Sequence, residues 1–233
     1  AQSQSETLRR MLWEPLCISA LNTPPAKASA QVFLNVLRDS LDGTRSDSDM
    51  VVSRVSLTEL FPGPAASLVA AGGGRVLCST AVDSITHAGH TFNVRHARGE
   101  SIHTHVVCAV SPHRASALLN GLRDLEPVRS LIDALTYQPI YTVFLQFEDN
   151  VSLPGPMVGM EGRLTQWIFD RHQLCGQKGL VAAVISAEGA HRSETQAVVA
   201  EQIMREFSEI TGPLPPLRWH RVIAEKRATF ACT

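Results

Sequence analysis

Apolar residues recur along this chain at two different periods, and the places where the period changes mark its organisation. The opening is helical: Leu8, Met11 and Leu12 share one face, and Pro15 is expected to break that helix or begin the next. Thr23-Pro24-Pro25 reads as a second helix start, with Thr23 as N-cap and Pro24 in the first turn. Phe33, Val36, Leu37 and Leu41 then fall on one face until Asp42-Gly43 stops the helix. A polar connection over 43–63 carries a short helical piece near Leu57 to Phe61. A helix over Ala65 to Ala71 ends at Gly72-Gly73-Gly74.

Beyond these glycines the period falls to two. Arg75 to Ser79, Ala81 to Thr86, His90 to Ala97 and Ile102 to Val110 read as strands, with turns at Gly89 and Arg98-Gly99. Ser111-Pro112 marks a strand-to-helix junction, followed by helices over Arg114 to Asn120 and Pro127 to Leu135. A second sheet begins near Ile140. Tyr141, Val143, Leu145 and Phe147 lie on one face of that strand and Ile140 and Phe144 on the other, so it is expected to be central. Leu164 to Asp170 and Leu180 to Ala187 are further strands. Ser193 with Gln196 reads as a capping box for an amphipathic helix bearing Val199, Ile203, Phe207 and Ile210. Gly212-Pro213 ends it, and Leu217 to Ala224 returns as strand.

This order of elements predicts a mixed α/β (α+β) protein, with boundaries near 42–53 and near Thr136. Composition adds little. The chain has 233 residues, 44% apolar and 18% charged, as globular chains do, and its formal charge of -1 gives nucleic acid no electrostatic footprint. Five scattered cysteines without a CxxC pair predict a reduced, intracellular chain. No apolar run approaches the roughly 20 residues of a membrane helix, and the polar start Ala1 to Thr7 does not read as a signal peptide. The chain begins at Ala1 without methionine and stops soon after Glu225-Lys226-Arg227, a pattern expected of an interior stretch.

Candidate chemistry is sparse. The three glycines follow a helix and precede a strand, the wrong order for a phosphate cradle, and no GxGxxG occurs. His103 and His105 share a face of a predicted strand, with His87, His90, His96 and His113 nearby, but no metal-ligand spacing is present, so no metal is expected. There is no GxSxG. Cys108 reads as buried in a strand, and Glu148-Asp149 and Glu188 as solvated strand ends. Tyr141, Trp167, Phe169 and Trp219 are the bulky residues of the second sheet; a pocket lined by them suits an apolar ligand, and aromatic faces also stabilise a cation. No catalytic side chain is named by these patterns.

The stretch Trp13-Glu14-Pro15-Leu16-Cys17-Ile18-Ser19-Ala20-Leu21-Asn22-Thr23-Pro24-Pro25, with Ala28-Ser29-Ala30 and Phe33 to Leu37, resembles the squalene-associated FAD-dependent desaturases, hydroxysqualene dehydroxylases of bacterial hopanoid pathways. Gly159 to Asp170 and Glu225 to Thr233 resemble the same family. Gly74-Arg75-Val76, Val82-Asp83-Ser84-Ile85 and Val106 to Pro112 resemble the wider superfamily of flavin-containing amine oxidases and phytoene desaturases.

The resemblance implies a two-part flavoprotein. Residues 1–52 would be a helical part of the substrate domain and 53–135 a partial FAD-binding domain with a β-meander. Residues 136–233 would be the substrate-domain sheet and helix, returning toward the FAD domain near 225. Val82 matches a position whose backbone contacts the FAD adenine, and Ala109, Val110, Ser111 and Pro112 match a strand end beside the cofactor. Tyr141, Trp167 and Phe169 are the candidate substrate residues. The implied reaction removes an allylic hydroxyl from a C30 isoprenoid, with reduced flavin supplying hydride.

The chain departs from the family by lacking both the glycine fingerprint and the later glycine-aspartate segment that hold the flavin, so by itself it is expected to bind no FAD and to be inert. It also lacks the lysine that amine oxidases carry on the strand over Gln138 to Phe147. Alternatives are an amine oxidase, a phytoene-type carotenoid desaturase, and a non-catalytic apolar-ligand or interaction domain. A cytoplasmic location, with or without peripheral contact at the inner membrane, is implied. Self-association through apolar surface of a severed flavin domain is expected.

Overall fold

The computed structural model describes residues 4–233; Ala1 to Ser3, part of the polar start, lie outside them. The chain forms two compact units. One combines the residues up to Phe61 with Tyr137–Thr233, and the other is Pro62–Thr136.

The first unit opens with α1 (Glu6–Leu8), a π-helical turn over Arg9–Trp13 and α2 (Glu14–Leu21). Pro15 stands in the first turn of α2, so it begins the next helix, the second of the two expectations, without interrupting the helical run. Proline lacks an N–H and its ring crowds the preceding turn; the widened turn just before it accommodates both effects. Asn22 ends α2 in the left-handed region at φ 44°. Thr23 is not an N-cap: its hydroxyl donates to the Leu21 carbonyl and accepts from the Cys232 N–H. The next helix, α3 (Ala30–Leu41), starts later and is capped by Ser29. Its apolar face carries Phe33, Val36 and Leu37, yet no residue of α3 is buried. A short α4 (Leu57–Leu60) has a capping box between Ser56 and Glu59.

The second unit opens with α5 (Pro62–Ala71). The three glycines close it: Gly73 sits at φ 80°, and the Gly74 N–H returns to the Val69 carbonyl. An antiparallel meander follows, β1 (Val82–Ala88), β2 (Thr91–His96) and β3 (Gly99–His103), in the order β1-β2-β3. One predicted strand is absent and another is cut short. Arg75 to Ser79 joins no strand ladder among the described residues, and Val76 and Leu77 are exposed. The strand predicted over Ile102 to Val110 stops at His103, which pairs with Phe92; only Thr91 of β2 lies beyond that pair, so a longer strand would have almost nothing to pair with there. Cys108 is consequently exposed rather than buried in a strand. Helices α6 (Pro112–Leu118) and α7 (Glu126–Asp133) complete a small core of Ile85, Val94, Ala115, Leu119 and Leu122. Gly121 passes so close to β1 that a Cβ there would lie 2.8 Å from the Ile85 carbonyl oxygen.

The rest of the first unit is a five-stranded antiparallel sheet. It contains β4 (Tyr137–Phe147), β5 (Met157–Gly159), β6 (Trp167–Asp170), β7 (Leu180–Ser186) and β8 (Leu217–Phe230), in the order β5-β6-β7-β4-β8. Strand β4 is interior, as its two apolar faces predict. Helix α8 (Arg171–Cys175) follows β6, and α9 (Gln196–Thr211) covers one face through Val199, Ile203 and Phe207. The cap of α9 is Thr195, not Ser193, whose hydroxyl is taken by the Ala190 carbonyl. Strand β6 begins at Trp167 rather than Leu164, because the buried Glu206 carboxylate of α9 accepts the N–H groups of Leu164 and Thr165 (2.8 and 3.1 Å). The β4–β8 register shifts between Gln138 and Ile140, where Pro139 has no N–H to donate.

Two sheets with helices set beside them make a mixed α+β architecture. Among the described residues no helix is long and apolar enough to cross a membrane.

Candidate functional site

Cross-strand partners share a sheet face, so the register of the five-stranded sheet sorts the three candidate substrate residues. Tyr141 stands with Val143, Leu145 and Phe147 on the face packed by α9. Its ring meets the buried His191 edge-on, with centroids 4.8 Å apart. Trp167 pairs with Val184, and Val184 with Thr142; Phe169 pairs with Ala182, and Ala182 with Phe144. Trp167 and Phe169 therefore stand on the opposite face from Tyr141. The structure brings two of the three together and leaves the third in the core.

That second face has an aromatic row, Phe169–Ala182–Phe144, next to the row Trp167–Val184–Thr142. Adjacent strands lie about 4.8 Å apart, so the two phenylalanines are separated by about 10 Å with an alanine between them. Trp167 is fixed further: its indole N–H donates to the Ser19 hydroxyl of α2 at 2.8 Å, and its ring lies against Gly159.

Helix α2 and the π turn before it border two cavities. The first, about 590 Å³, lies between this helix and the segment 24–33, with Trp13, Cys17, Ile18 and Phe33 in its wall. The second, about 360 Å³, lies between the helix and residues 159–167, with Met11, Met160 and Trp167 in its wall. Arg10 of the helix forms an ion pair with Glu161 at the second cavity. Glu14 and Ile18 line both cavities.

The π turn also determines the charges there. Its backbone closes from the Glu14 N–H to the Arg9 carbonyl, a spacing of five residues, and the Arg9 guanidinium meets the Glu14 carboxylate at 2.5 Å over the same spacing. Glu6 at 2.5 Å completes the arrangement; together Glu6 and Glu14 raise the pKa of Arg9 above its ordinary value. Burial pushes the Cys17 thiol up, and the neighbouring Cys232 pushes it further, so Cys17 is a protonated wall residue rather than a nucleophile.

In the second unit, Val82 opens β1 beside a register shift, and Ala109, Val110 and Ser111 are exposed backbone ahead of α6, which Pro112 begins. No backbone hydrogen bond among the described residues involves 105–110. Free N–H and C=O groups of this kind fit the edge of a flat heterocycle such as a flavin or an adenine. Among the described residues the one glycine cluster closes a helix rather than opening one, which does not suit a pyrophosphate. His103 and His105 do not share a strand face, because β3 ends at His103; His103 meets Ser101 and His105 meets Thr104. Among the described residues no three His, Cys, Asp or Glu side chains converge as a metal cage.

Trp13 to Pro25 carries the family resemblance, but nothing in the sequence marks a role for Glu14, Cys17 or Asn22. The Arg9–Glu14 pair was hidden by its spacing, because residues five apart are not neighbours on an α-helix.

One unit thus has a sheet with a helix-packed face and an aromatic face, and the other a meander followed by open backbone. Residues 45–228 match the family described as flavin containing amine oxidoreductase, and the chain belongs to that family. It is 27% identical over 228 residues to a hydroxysqualene dehydroxylase of Rhodopseudomonas palustris, covering 94% of this chain and 50% of that protein. It is 26% identical over 234 residues to a hydroxysqualene dehydroxylase of Sinorhizobium fredii, covering 97% and 52%. The chain thus spans about half the length of the curated relatives it matches. Among solved structures, cyclohexylamine oxidase from Brevibacterium oxydans superposes with a TM-score of 0.66 at 14% identity, over 97% of this chain and 52% of that one.

Proposed function

We propose that this chain carries the substrate face and part of the flavin domain of an FAD-dependent oxidoreductase that removes an allylic hydroxyl from hydroxysqualene. The observation that carries this reading is the match along nearly the whole chain to two hydroxysqualene dehydroxylases. Strand β4 adds support: its open face presents Thr142 and Phe144, and it has no lysine, which argues against amine oxidation. In this reading Trp167, Phe169 and Phe144 hold an apolar chain and exclude water, and their ring faces stabilise an allylic cation. Tyr141 supports the sheet from its other side. Val82 and Ala109 to Pro112 contact FAD through their backbone. Bound FAD supplies hydride chemistry.

The chain has no glycine fingerprint for the pyrophosphate, so the 233 residues alone bind no FAD and turn nothing over, and a cytoplasmic location suits this chemistry. Two measurements test this. Titration of FAD into the purified chain gives no saturable quenching of flavin fluorescence; stoichiometric binding would overturn the division of the cofactor site. The complete protein converts hydroxysqualene to squalene; conversion of a carotenoid precursor alone would refute the substrate.

A further inference from the structure

A hydroxyl placed within a long hydrocarbon needs a polar partner with apolar space on both sides of it. A hydroxyl at a chain end needs apolar space on one side only. Glu14 lines two cavities, one of about 590 Å³ and one of about 360 Å³, and both volumes are in the range of small-molecule sites. On one side the wall is Trp13, Ile18 and Phe33; on the other it is Met11, Met160 and Trp167. One carboxylate oxygen, Oε1, accepts from Arg9, and Oε2 accepts no hydrogen bond among the described residues. The π turn holds the carboxylate there, since Glu14 closes that turn through its own N–H. π turns inserted in α-helices occur frequently at functional sites.

We propose that Glu14 is the recognition residue for an internal hydroxyl of a linear isoprenoid alcohol, whose two hydrocarbon arms occupy the two cavities beside α2. The ligand class rests on the isoprenoid reading above, and the placement of the hydroxyl rests on the cavities. Oε2 of Glu14 accepts from the hydroxyl. Arg9 orients the carboxylate through their ion pair, and Ile18 is shared by both walls.

Tryptophan fluorescence of the purified chain, without flavin, reads both arms, because Trp13 lines one cavity and Trp167 the other. Hydroxysqualene, squalene and the terminal alcohol farnesol would be titrated from a nonionic detergent. Hydroxysqualene binds saturably and about tenfold more tightly than squalene, the ratio one hydrogen bond to a charged group supplies. It also binds more tightly than farnesol, which fills one arm only. Glu14→Leu brings hydroxysqualene to the affinity of squalene, whereas Ile18→Trp blocks both ligands. Equal affinity of alcohol and hydrocarbon for the unaltered chain, or a preference that survives Glu14→Leu, would overturn the assignment.

Photolabelling the unaltered chain with a diazirine-bearing isoprenoid alcohol depends on no variant. Label within 9–33 and 159–167 is expected, and label confined elsewhere refutes the site. Selective binding by a protein whose complete form makes no squalene would leave this site standing and remove the reaction. Squalene formation unaffected by Glu14→Leu would do the reverse.

Discussion

Replacing Asn22 by alanine is expected to be among the most damaging single changes in the first unit. The side chain is 5% exposed, and three hydrogen bonds converge on it. Its amide donates to the Pro139 carbonyl at 3.2 Å and to the Thr229 hydroxyl at 3.0 Å, and its oxygen accepts from the Ala187 N–H at 2.6 Å. One residue at the end of α2 thus holds β4, β8 and the end of β7. Alanine leaves the Pro139 carbonyl and the Ala187 N–H buried without partners, at about 1–3 kcal/mol each. It must also adopt φ 44°, which costs alanine about 1 kcal/mol more than asparagine. The loss is therefore about 3–7 kcal/mol, a large part of the roughly 5–15 kcal/mol that holds a domain together. Urea unfolding followed by circular dichroism measures it. Asn22→Gly separates the two contributions: glycine takes positive φ freely and recovers about 1 kcal/mol relative to alanine, and no more. A loss below about 1 kcal/mol for Asn22→Ala, or full recovery with glycine, would refute the hydrogen-bond account.

Two pH effects follow from buried groups. Burial, with a smaller contribution from Arg192, lowers the pKa of His191 below its ordinary value, and neither ring nitrogen has a partner among the described residues. The unfolded chain therefore takes up the proton first, and stability falls as pH drops below about 6.5; His191→Leu should narrow the difference in urea midpoint between pH 7.5 and 5.5, and an unchanged difference counts against this. Burial pushes the Asp170 carboxyl up, but hydrogen bonds from Gln173, Leu153 and His172 outweigh it and hold the pKa below the ordinary carboxylate value. Its contribution is present above about pH 4 and is lost as pH falls through the lowered folded value. Asp170→Asn should cost about 2–3 kcal/mol at neutral pH and flatten the acid limb of melting temperature against pH; a parallel acid limb would refute this.

The elements were legible where one residue type or one period decides them. The apolar positions of β4 placed it inside the sheet, Asp42-Gly43 ended α3, and the triple glycine closed α5. Misreadings arose where a polar group had a distant partner. Thr23 has the chemistry of an N-cap, but its hydroxyl is occupied by Leu21 and by Cys232, 209 positions away. Leu164 looks like strand, but Glu206 takes its N–H. Residues 104–110 have strand composition and no partner to pair with.

By itself the sequence determined the order of helices and strands, the second sheet and its aromatic residues, and a resemblance specific enough to suggest a flavoenzyme of isoprenoids. Period and composition are local properties, and a family pattern is carried by residue identity alone. Only the tertiary structure decided that Tyr141 faces away from Trp167 and Phe169, since the face each residue takes follows from cross-strand register. Only it joined Arg9 to Glu14, because a π turn changes which residues are neighbours, and only it set Glu14 in the walls of two cavities, the second of which is built from segments some 150 residues apart in the chain.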